Sequence, residues 1–481
     1  MQPRPGQSRT TEPLHVAMLP LGVPVHPGLD VAASAVVQED AAAGGDWFDT
    51  LPVDDGALAL VAGDVVGNGA SALAAAGQLR SAVLLAVSED ADPGRVLTRV
   101  ARYAEVVPEC AGASICLAVV RPASGAFRYA VAGYPPPFVV DRTGATTPQA
   151  PTGDGRLGCT TTYVSGAGVL RDDEVLLVAS DGFQLPAGRD PLPPPAGDLD
   201  AWCAQLLHRV ATAPGLVDDA VLLGVRRRPP LEPLELRYPA LPDTVGVVRH
   251  EVAAWLRRAG VEPIDSSAVV QAVSELASNS VEHAYPAGTD HRRTEITVTA
   301  GLTTACVVEL DLRDNGRWRP PEPVAGRGRG LPMSREFVDD LRIDTGASGT
   351  RCRLRHRPFG STSVLSERRS GRAAAAGPPF ALDVSDGHVG VRGAVGPSAA
   401  DELRLVLGRV SAAGTRAATV DLAAVTSLCS AAVEAISSAR TGARGEAPLQ
   451  IVAGAGTTAD RVLTWAGIPH QVHESGREGD H

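Results

Sequence analysis

Proline decides how this chain can be divided. The run RRRPPLEPLE, from Arg226 to Glu235, combines charge with a residue that lacks a backbone donor and interrupts helices and central strands. A second stretch, from His356 to about Pro379, contains FGSTSVLSERRSGRAAAAGPP without sustained periodicity and reads as a flexible linker. Cut at these places, the 481 residues fall into three segments, of about 225, 120 and 100 residues, each of ordinary domain size. A further proline cluster, LPAGRDPLPPPAG (Leu185–Gly197), reads as a loop inside the first segment.

Composition narrows the function classes. With 44% hydrophobic and 21% charged residues the chain is not wholly disordered. A formal charge of -11 disfavours non-specific binding to nucleic acid or to an anionic membrane. No lysine occurs anywhere, so all 44 basic residues are arginine. That excludes a Walker-A lysine, a protein-kinase strand lysine and Schiff-base chemistry. Any ATP must be handled through magnesium, backbone amides and arginine. The seven cysteines are scattered without a CxxC, which supports neither a disulfide framework nor a zinc site. The polar start MQPRPGQSRTTEP lacks a signal-peptide core and no run of 18 apolar residues is found, so the expected location is the cytoplasm, with no membrane partner.

In the first segment, DWFDTLPV and ALALVAGD are strand-like and flank the turn signal DDG at Asp54–Gly56. A turn centred on Asp55 sets Asp46 opposite Asp64 across two antiparallel strands, with Cβ atoms about 5 Å apart. Two bare carboxylates there would repel by about 3 kcal/mol at an effective dielectric near 20, an arrangement that calls for a cation. Asp181 ends the strand EVLLVASDG, and Asp218-Asp219 opens DDAVLLGV. An Asp beside Gly at a strand end is most often a turn residue. Several such positions in one segment weigh against that reading and towards a hard cation such as magnesium or manganese.

GGDWFD, GDVVGNGASA, LAVV…FRYAVAGYPPP, VLLVASDGF and DDAVLLGV occur in an order that resembles the metal-dependent (type 2C) serine/threonine phosphatases, in their sporulation and stress-response subgroup. The resemblance covers about residues 15–226 and implies an α-β-β-α sandwich with two manganese or magnesium ions at one end. It implies that Asp46 and Asp64 bridge or ligate the ions, that the Val65 carbonyl contributes, and that Asp181 and Asp218 complete the second position. Asp218 is preferred to Asp219 from the family's usual offset to the apolar strand. These four aspartates are then the catalytic set, directing a metal-activated water onto phosphoserine or phosphothreonine. Asn68 and Tyr134 stand where the subgroup often has histidine, which implies altered rate or specificity.

In the second segment, Ile264–Tyr285 reads as an amphipathic helix started by an Asp/Ser cap. Val269, Val273, Leu276 and Ser280 share one face, and Glu275, Asn279 and His283 form a polar stripe beside it. The strand ACVVELDLRDNG delivers Asp314 and Gly316, and GRGRGLPM supplies Gly326, Gly328 and Gly330 before a short helix. Such a glycine run lets backbone N–H groups approach phosphates.

The ordered set resembles the α/β sandwich ATPase fold shared by gyrase, Hsp90, histidine kinases and MutL, in its anti-sigma-factor serine kinase branch, over residues 235–356. The resemblance implies ATP–magnesium binding without a Walker lysine. Asn279 is implied as magnesium ligand, Glu275 as general base and Asp314 as reader of the adenine amino group. Gly316, Gly326, Gly328 and Gly330 are implied as nucleotide floor and lid, with Gly349-Thr350 as the terminal GT. His283 reads as a packing or interface residue.

From Phe380 the pattern runs strand, strand, helix, strand, helix, strand, helix. It resembles a small α/β sulfate-transporter/anti-anti-sigma (STAS) domain over residues 379–475. In VDLAAVTSLCSAA, Cys429 fills the acidic slot, Ser430 one hydroxyl slot, Ala431 the other and Ala432 the glycine position. The eroded motif favours a docking domain that no longer switches.

Together these readings give a multidomain α/β regulator of a partner-switching pathway. Its expected partner is a phosphorylated anti-anti-sigma (STAS) protein, with a sigma factor and a second copy of the chain also admitted. The competing readings are a non-catalytic scaffold that sequesters a sigma factor or antagonist, and a serine kinase with an accessory phosphatase domain. Docking of the third domain on the second within one chain is favoured by the effective concentration a tether provides.

Overall fold

The computed structural model describes residues 19–20, 22–38, 45–53, 56–67, 69–153, 155–180, 183, 191–211, 219–286, 289–317, 330–346, 348–367, 380–385, 387–411, 416–441 and 449–473. The first domain is built on central strands buried on both faces. Its strands are β1 (Val23–Pro24), β2 (Leu29–Gln38), β3 (Trp47–Val53) and β4 (Ala57–Asp64). Helices α1 (Gly69–Glu89) and α2 (Pro93–Val106) follow, then β5 (Ser114–Val120), β6 (Ala126–Ala132), β7 (Phe138–Val140), β8 (Thr146–Pro148), β9 (Gly166–Val169) and β10 (Val175–Ala179). Helix α3 (Leu199–Ala211) and β11 (Ala220–Arg227) complete the run.

One sheet has the order β3-β4-β5-β6-β9, antiparallel throughout. Its even-numbered residues Phe48, Leu60 and Ala62 face the second sheet, where they meet Val178, Val221 and Leu223. Its odd-numbered residues Trp47, Val61 and Ile115 face α1 and α2, against Leu79, Val83 and Leu97. On the far side, Leu177 and Leu222 pack beneath Trp202 and Leu206 of α3. The layers are therefore helix, sheet, sheet, helix. By length and composition α1 could cross a membrane. Its buried residues instead cover the sheet, since Leu79 and Val83 have no exposure.

The second domain comprises β12 (Leu234–Tyr238), α4 (Pro242–Ala259), α5 (Pro263–His283), β13 (Ile296–Leu302), β14 (Val308–Asp314), α6 (Gly330–Phe337), β15 (Asp340–Gly346) and β16 (Gly349–His356). The sheet order is β12-β13-β14-β16-β15, all antiparallel. Trp255, Val273 and Leu276 of α4 and α5 pack on Val298, Leu310 and Leu354. The opposite face carries ion pairs such as Arg351–Asp311 at 2.6 Å and Arg353–Asp344 at 2.6 Å, a solvated surface.

The segment after His356, expected as flexible, is strand-forming at its start. Strand β17 (Phe359–Gly360) pairs with β1, and β18 (Thr362–Glu367) adds in parallel to β2. The second sheet of the first domain thus has the order β18-β2-β11-β10-β7-β8. Val364 packs against the core between the sheets, and Ser361 donates to Asp200 Oδ2 at 3.4 Å. The chain therefore returns from the second domain to complete an edge of the first. No local periodicity announces this, because the template is a strand more than three hundred positions earlier.

The last domain follows the expected order, with β19 (Ala381–Ser385), β20 (His388–Val395), α7 (Pro397–Val410), β21 (Ala418–Leu428), α8 (Ser430–Thr441), β22 (Leu449–Gly454) and α9 (Thr458–Trp465). A short edge strand, β23 (Gln471–His473), is added. The sheet runs β19-β20-β21-β22-β23, parallel except for the first pair.

Candidate functional site

The β3–β4 hairpin has the register that a turn at Asp55 requires. Trp47 lies opposite Gly63 and Phe48 opposite Ala62, and beyond the ladder Val65 N–H donates to the Gly45 carbonyl at 3.2 Å. Asp46 and Asp64 fall between these two links, as a facing pair without mutual ladder bonds. Such pairs bring Cα atoms to about 4.5 Å. The carboxylates continue the even-numbered face, so they stand at the end of the space between the two sheets. They are 7% and 6% exposed. Val65, just past the strand, is fully buried.

On the facing sheet the corresponding end is locked by Ser180, whose N–H donates to the Val221 carbonyl at 3.0 Å while its Oγ accepts from Val221 N–H at 2.9 Å. Asp181 and Asp218 lie outside the described residues, as does Asn68. Asp219, set aside on sequence grounds, is buried. Tyr134 is also buried, at 2% exposure, in the core between the sheets. Among the described residues no group of three or more His, Cys, Asp or Glu side chains is gathered closely enough to hold an ion. The described part of the site is the Asp46–Asp64 pair. Its oxygen-only chemistry fits a hard divalent cation.

The second domain carries a different constellation. As the periodicity predicts, Val269, Val273, Leu276 and Ser280 of α5 are buried, while Glu275, Asn279 and His283 are partly exposed beside them. The helix start differs from the expected Asp/Ser cap. Glu262 is the N-cap residue without a side-chain bond and Pro263 opens the helix, because proline's fixed φ suits the first turn. Asp265 is used elsewhere, accepting from Phe359 N–H at 2.8 Å.

Asp314 is the centre of this site. Its Oδ2 accepts from Ser280 Oγ at 2.8 Å, and its Oδ1 accepts from Gly316 N–H at 3.0 Å and Thr350 N–H at 3.2 Å. A carboxylate has about four lone-pair sites, so one acceptor position is left. The two glycines are there for close approach. A Cβ on Gly316 would sit 2.5 Å from the Ala284 carbonyl oxygen at the end of α5. Gly349 has φ +137° and a Cβ there would lie 2.0 Å from the Asp314 carbonyl oxygen. Thr350 Oγ1, on the strand paired with Asp314, and Asn279 Nδ2, on α5 one residue before Ser280, are buried with no hydrogen-bond partner. Buried polar atoms are rarely left so, and these two, with the remaining acceptor position on Asp314, fit a polar ligand such as a nucleotide. Ser280, which fixes Asp314, was read only as a core position; a hydroxyl on that face was the available signal. Gly326 and Gly328 lie outside the described residues, and Gly330 opens α6.

In the third domain Cys429 is buried and caps α8 through its backbone, its carbonyl accepting from Ala432 and Val433 N–H groups. The side chains of Ser430 and Ala431 lie outside the described residues.

Fold and sites define a protein with an α/β phosphatase-type domain followed by an α/β ATP-binding domain. The description "Stage II sporulation protein E (SpoIIE)" matches residues 54–228, and "Histidine kinase-like ATPase domain" matches residues 238–356. The chain is 33% identical to the solved RsbU and RsbW domains of Rv1364c from Mycobacterium tuberculosis. That likeness covers 73% of this chain and 99% of the other, with a TM-score of 0.65. It is also 28% identical over 126 residues to the serine-protein kinase RsbW of Oceanobacillus iheyensis, covering 23% of this chain and 78% of that protein. The chain belongs to the family in which a SpoIIE-related, PP2C-like phosphatase domain is fused to a histidine kinase-like ATPase domain.

Proposed function

We propose that this chain is a cytoplasmic partner-switching regulator that dephosphorylates a phosphorylated anti-anti-sigma (STAS) protein in a manganese- or magnesium-dependent reaction. The observation that carries the reading is the facing pair Asp46 and Asp64, buried at one end of a two-sheet sandwich. Asp46 and Asp64 would hold the ions with the Val65 carbonyl, and Asp181 and Asp218 would complete the set. When bound, two such ions supply an acidified water and neutralise phosphoryl oxygens. The chain's own part is to hold two hard carboxylates rigidly on paired strands and to exclude bulk water around them with the core residues Phe48, Ala62 and Tyr134.

The second domain, in the same reading, binds ATP with magnesium. Asp314 would accept from the adenine amino group, Asn279 would hold magnesium, Glu275 would orient a serine hydroxyl, and Gly316, Gly326, Gly328, Gly330 and Thr350 would floor and cover the nucleotide. The single remaining acceptor position on Asp314 favours this. The third domain is read as a STAS-type docking domain without a working phosphorylation site at Ser430. Purified chain with manganese is expected to release phosphate from a phosphoserine STAS protein, and Asp64→Ala is expected to abolish release. Release that persists in Asp64→Ala, or that survives chelation, refutes the phosphatase reading. A specific observation also favours kinase activity in the second domain, namely the Asp314–Ser280–Thr350 cradle. Transfer of labelled phosphate from ATP that is lost in Glu275→Ala tests it.

A further inference from the structure

Among the described residues of the first domain, the buried cation Arg156 has no acid paired with it. Arg156 is 8% exposed, in the loop between β8 and β9. Its Nη1 donates to the Gly112 carbonyl at 3.1 Å, and its Nε is buried with no partner. No carboxylate pairs with it among the described residues. An arginine stays charged at any ordinary pH, so a buried guanidinium without a counter-charge is costly unless an anion arrives.

Its position is fixed from several sides. The Arg156 carbonyl accepts from Tyr163 Oη at 3.1 Å. Next to it, Leu157 N–H donates to the Ala113 carbonyl at 2.8 Å, and Gly112 N–H donates to the Leu157 carbonyl at 2.8 Å. Its stem lies against Gly133, which has φ +61° and where a Cβ would come 2.5 Å from Arg156 Cγ. These contacts place the arginine at one end of the first sheet. Residues 112 and 113 lead into Ser114, the cross-strand partner of Asp64, and Gly133 forms a bridge with Ile115. Arg156 therefore belongs to the same end of the same sheet as the carboxylate pair. With Nη1 committed to a carbonyl, the Nε/Nη2 edge of the guanidinium is the one left to act, and two parallel N–H groups on that edge match two oxygens of a phosphoryl group.

We propose that Arg156 is a phosphate-binding residue that holds the phosphoryl group of the substrate, and the free phosphate formed from it, beside the Asp46–Asp64 centre. This rests on the phosphatase reading, and direct binding separates the two. Inorganic phosphate is titrated calorimetrically into metal-free full-length chain. Manganese-dependent hydrolysis of an aryl phosphate and of a phosphoserine peptide is followed in parallel. Arg156→Gln is expected to weaken phosphate binding at least tenfold and to raise KM for both substrates by a similar factor, with the half-saturating manganese concentration unchanged. Arg156→Lys keeps the charge and guards against a Gln variant that does not fold; it is expected to lose about three- to fivefold, because one ammonium replaces a fork. Unchanged phosphate affinity in either folded variant overturns the proposal, as does a shift in the manganese requirement without a shift in phosphate affinity. Wild-type chain that binds phosphate through Arg156 yet never turns over substrate leaves the anion site standing and refutes the phosphatase instead.

Discussion

Replacing Asp314 by asparagine separates what this carboxylate does for the fold from what it does for a nucleotide. The native group accepts three hydrogen bonds, from Ser280 Oγ, Gly316 N–H and Thr350 N–H. In Asp314→Asn the amide oxygen can keep the two backbone donors, and the amide nitrogen then faces Ser280, whose hydroxyl can turn to accept. The stability cost should be about 1 kcal/mol, the net worth of one altered hydrogen bond. Asp314→Ala leaves both backbone N–H groups buried and unpaired, costing about 3 kcal/mol or more at about 1–3 kcal/mol per orphaned group. The nucleotide sees the reverse ranking of subtlety. An adenine amino group offered to a carboxylate meets an acceptor, but offered to the asparagine amide it meets another donor. Losing a bond to a charged acceptor is worth about 1.5–3 kcal/mol, so ATP affinity should fall on the order of a hundredfold in Asp314→Asn. Inosine triphosphate, which presents a carbonyl at the same ring position, should bind the variant better than ATP does. The assay is calorimetric titration of both nucleotides into wild-type and variant chain with magnesium, alongside thermal melts. An Asp314→Asn chain that melts normally and binds ATP within threefold of wild type refutes the assignment.

Three further outcomes follow from individual contacts. Asp200 is pushed up to about 7 by burial and then by Asp198, with Glu262 and Asp30 adding to it against the Ser361 hydrogen bond. Because the folded value lies above the unfolded one, its contribution is intact below about pH 4 and lost as pH rises through about 7. Asp200→Asn should remove this fall in stability, so that the variant gains on wild type across that window and is about 2 kcal/mol ahead at pH 8, after discounting for the partial exposure of Asp200. Urea midpoints at pH 4.5 and 8 measure it, and an unchanged difference between them refutes it. Gly349→Ala should cost about 3 kcal/mol, since a left-handed conformation is combined with a backbone clash; Gly346→Ala, whose Cβ would meet only an ordinary contact at 3.7 Å, is the matched control in a thermal melt. Val364→Asp puts a carboxylate against the core between the sheets and should detach β18 at a cost of about 2–3 kcal/mol, read as faster proteolysis between residues 356 and 380.

What the sequence disclosed, and what it did not, follows the range of the interactions involved. The β3–β4 register was legible because a turn signal lies between the two strands within twenty residues, and a turn centred on Asp55 fixes which carboxylates face each other. Helix α5 was legible for a similar reason, since a 3.6-residue stripe of Val269, Val273 and Leu276 is a local pattern. Helix α1 gave no such stripe. It is apolar on nearly every side, so periodicity had no contrast to work on. The cap of α5 was misplaced because Asp265 and Ser266 have the right chemistry for capping, and only the distant Phe359 N–H shows that the carboxylate is engaged by another strand. The same distance hid β18 and Arg156. A strand added to an edge needs few side-chain signals of its own, since main-chain bonds to β2 hold it. A buried arginine looks like any other among 44 until the fold removes its water. The sites are thus split between two kinds of information. Carboxylates that face each other across a hairpin are specified by spacing. Cations and edge strands gain their meaning from segments brought together by folding, and the return of residues 359–367 adds an edge strand to the second sheet of the first domain. That returning segment is also tied to the second domain, because Asp265 and Glu262 hold Phe359 at the start of α5, the helix that carries Glu275 and Asn279.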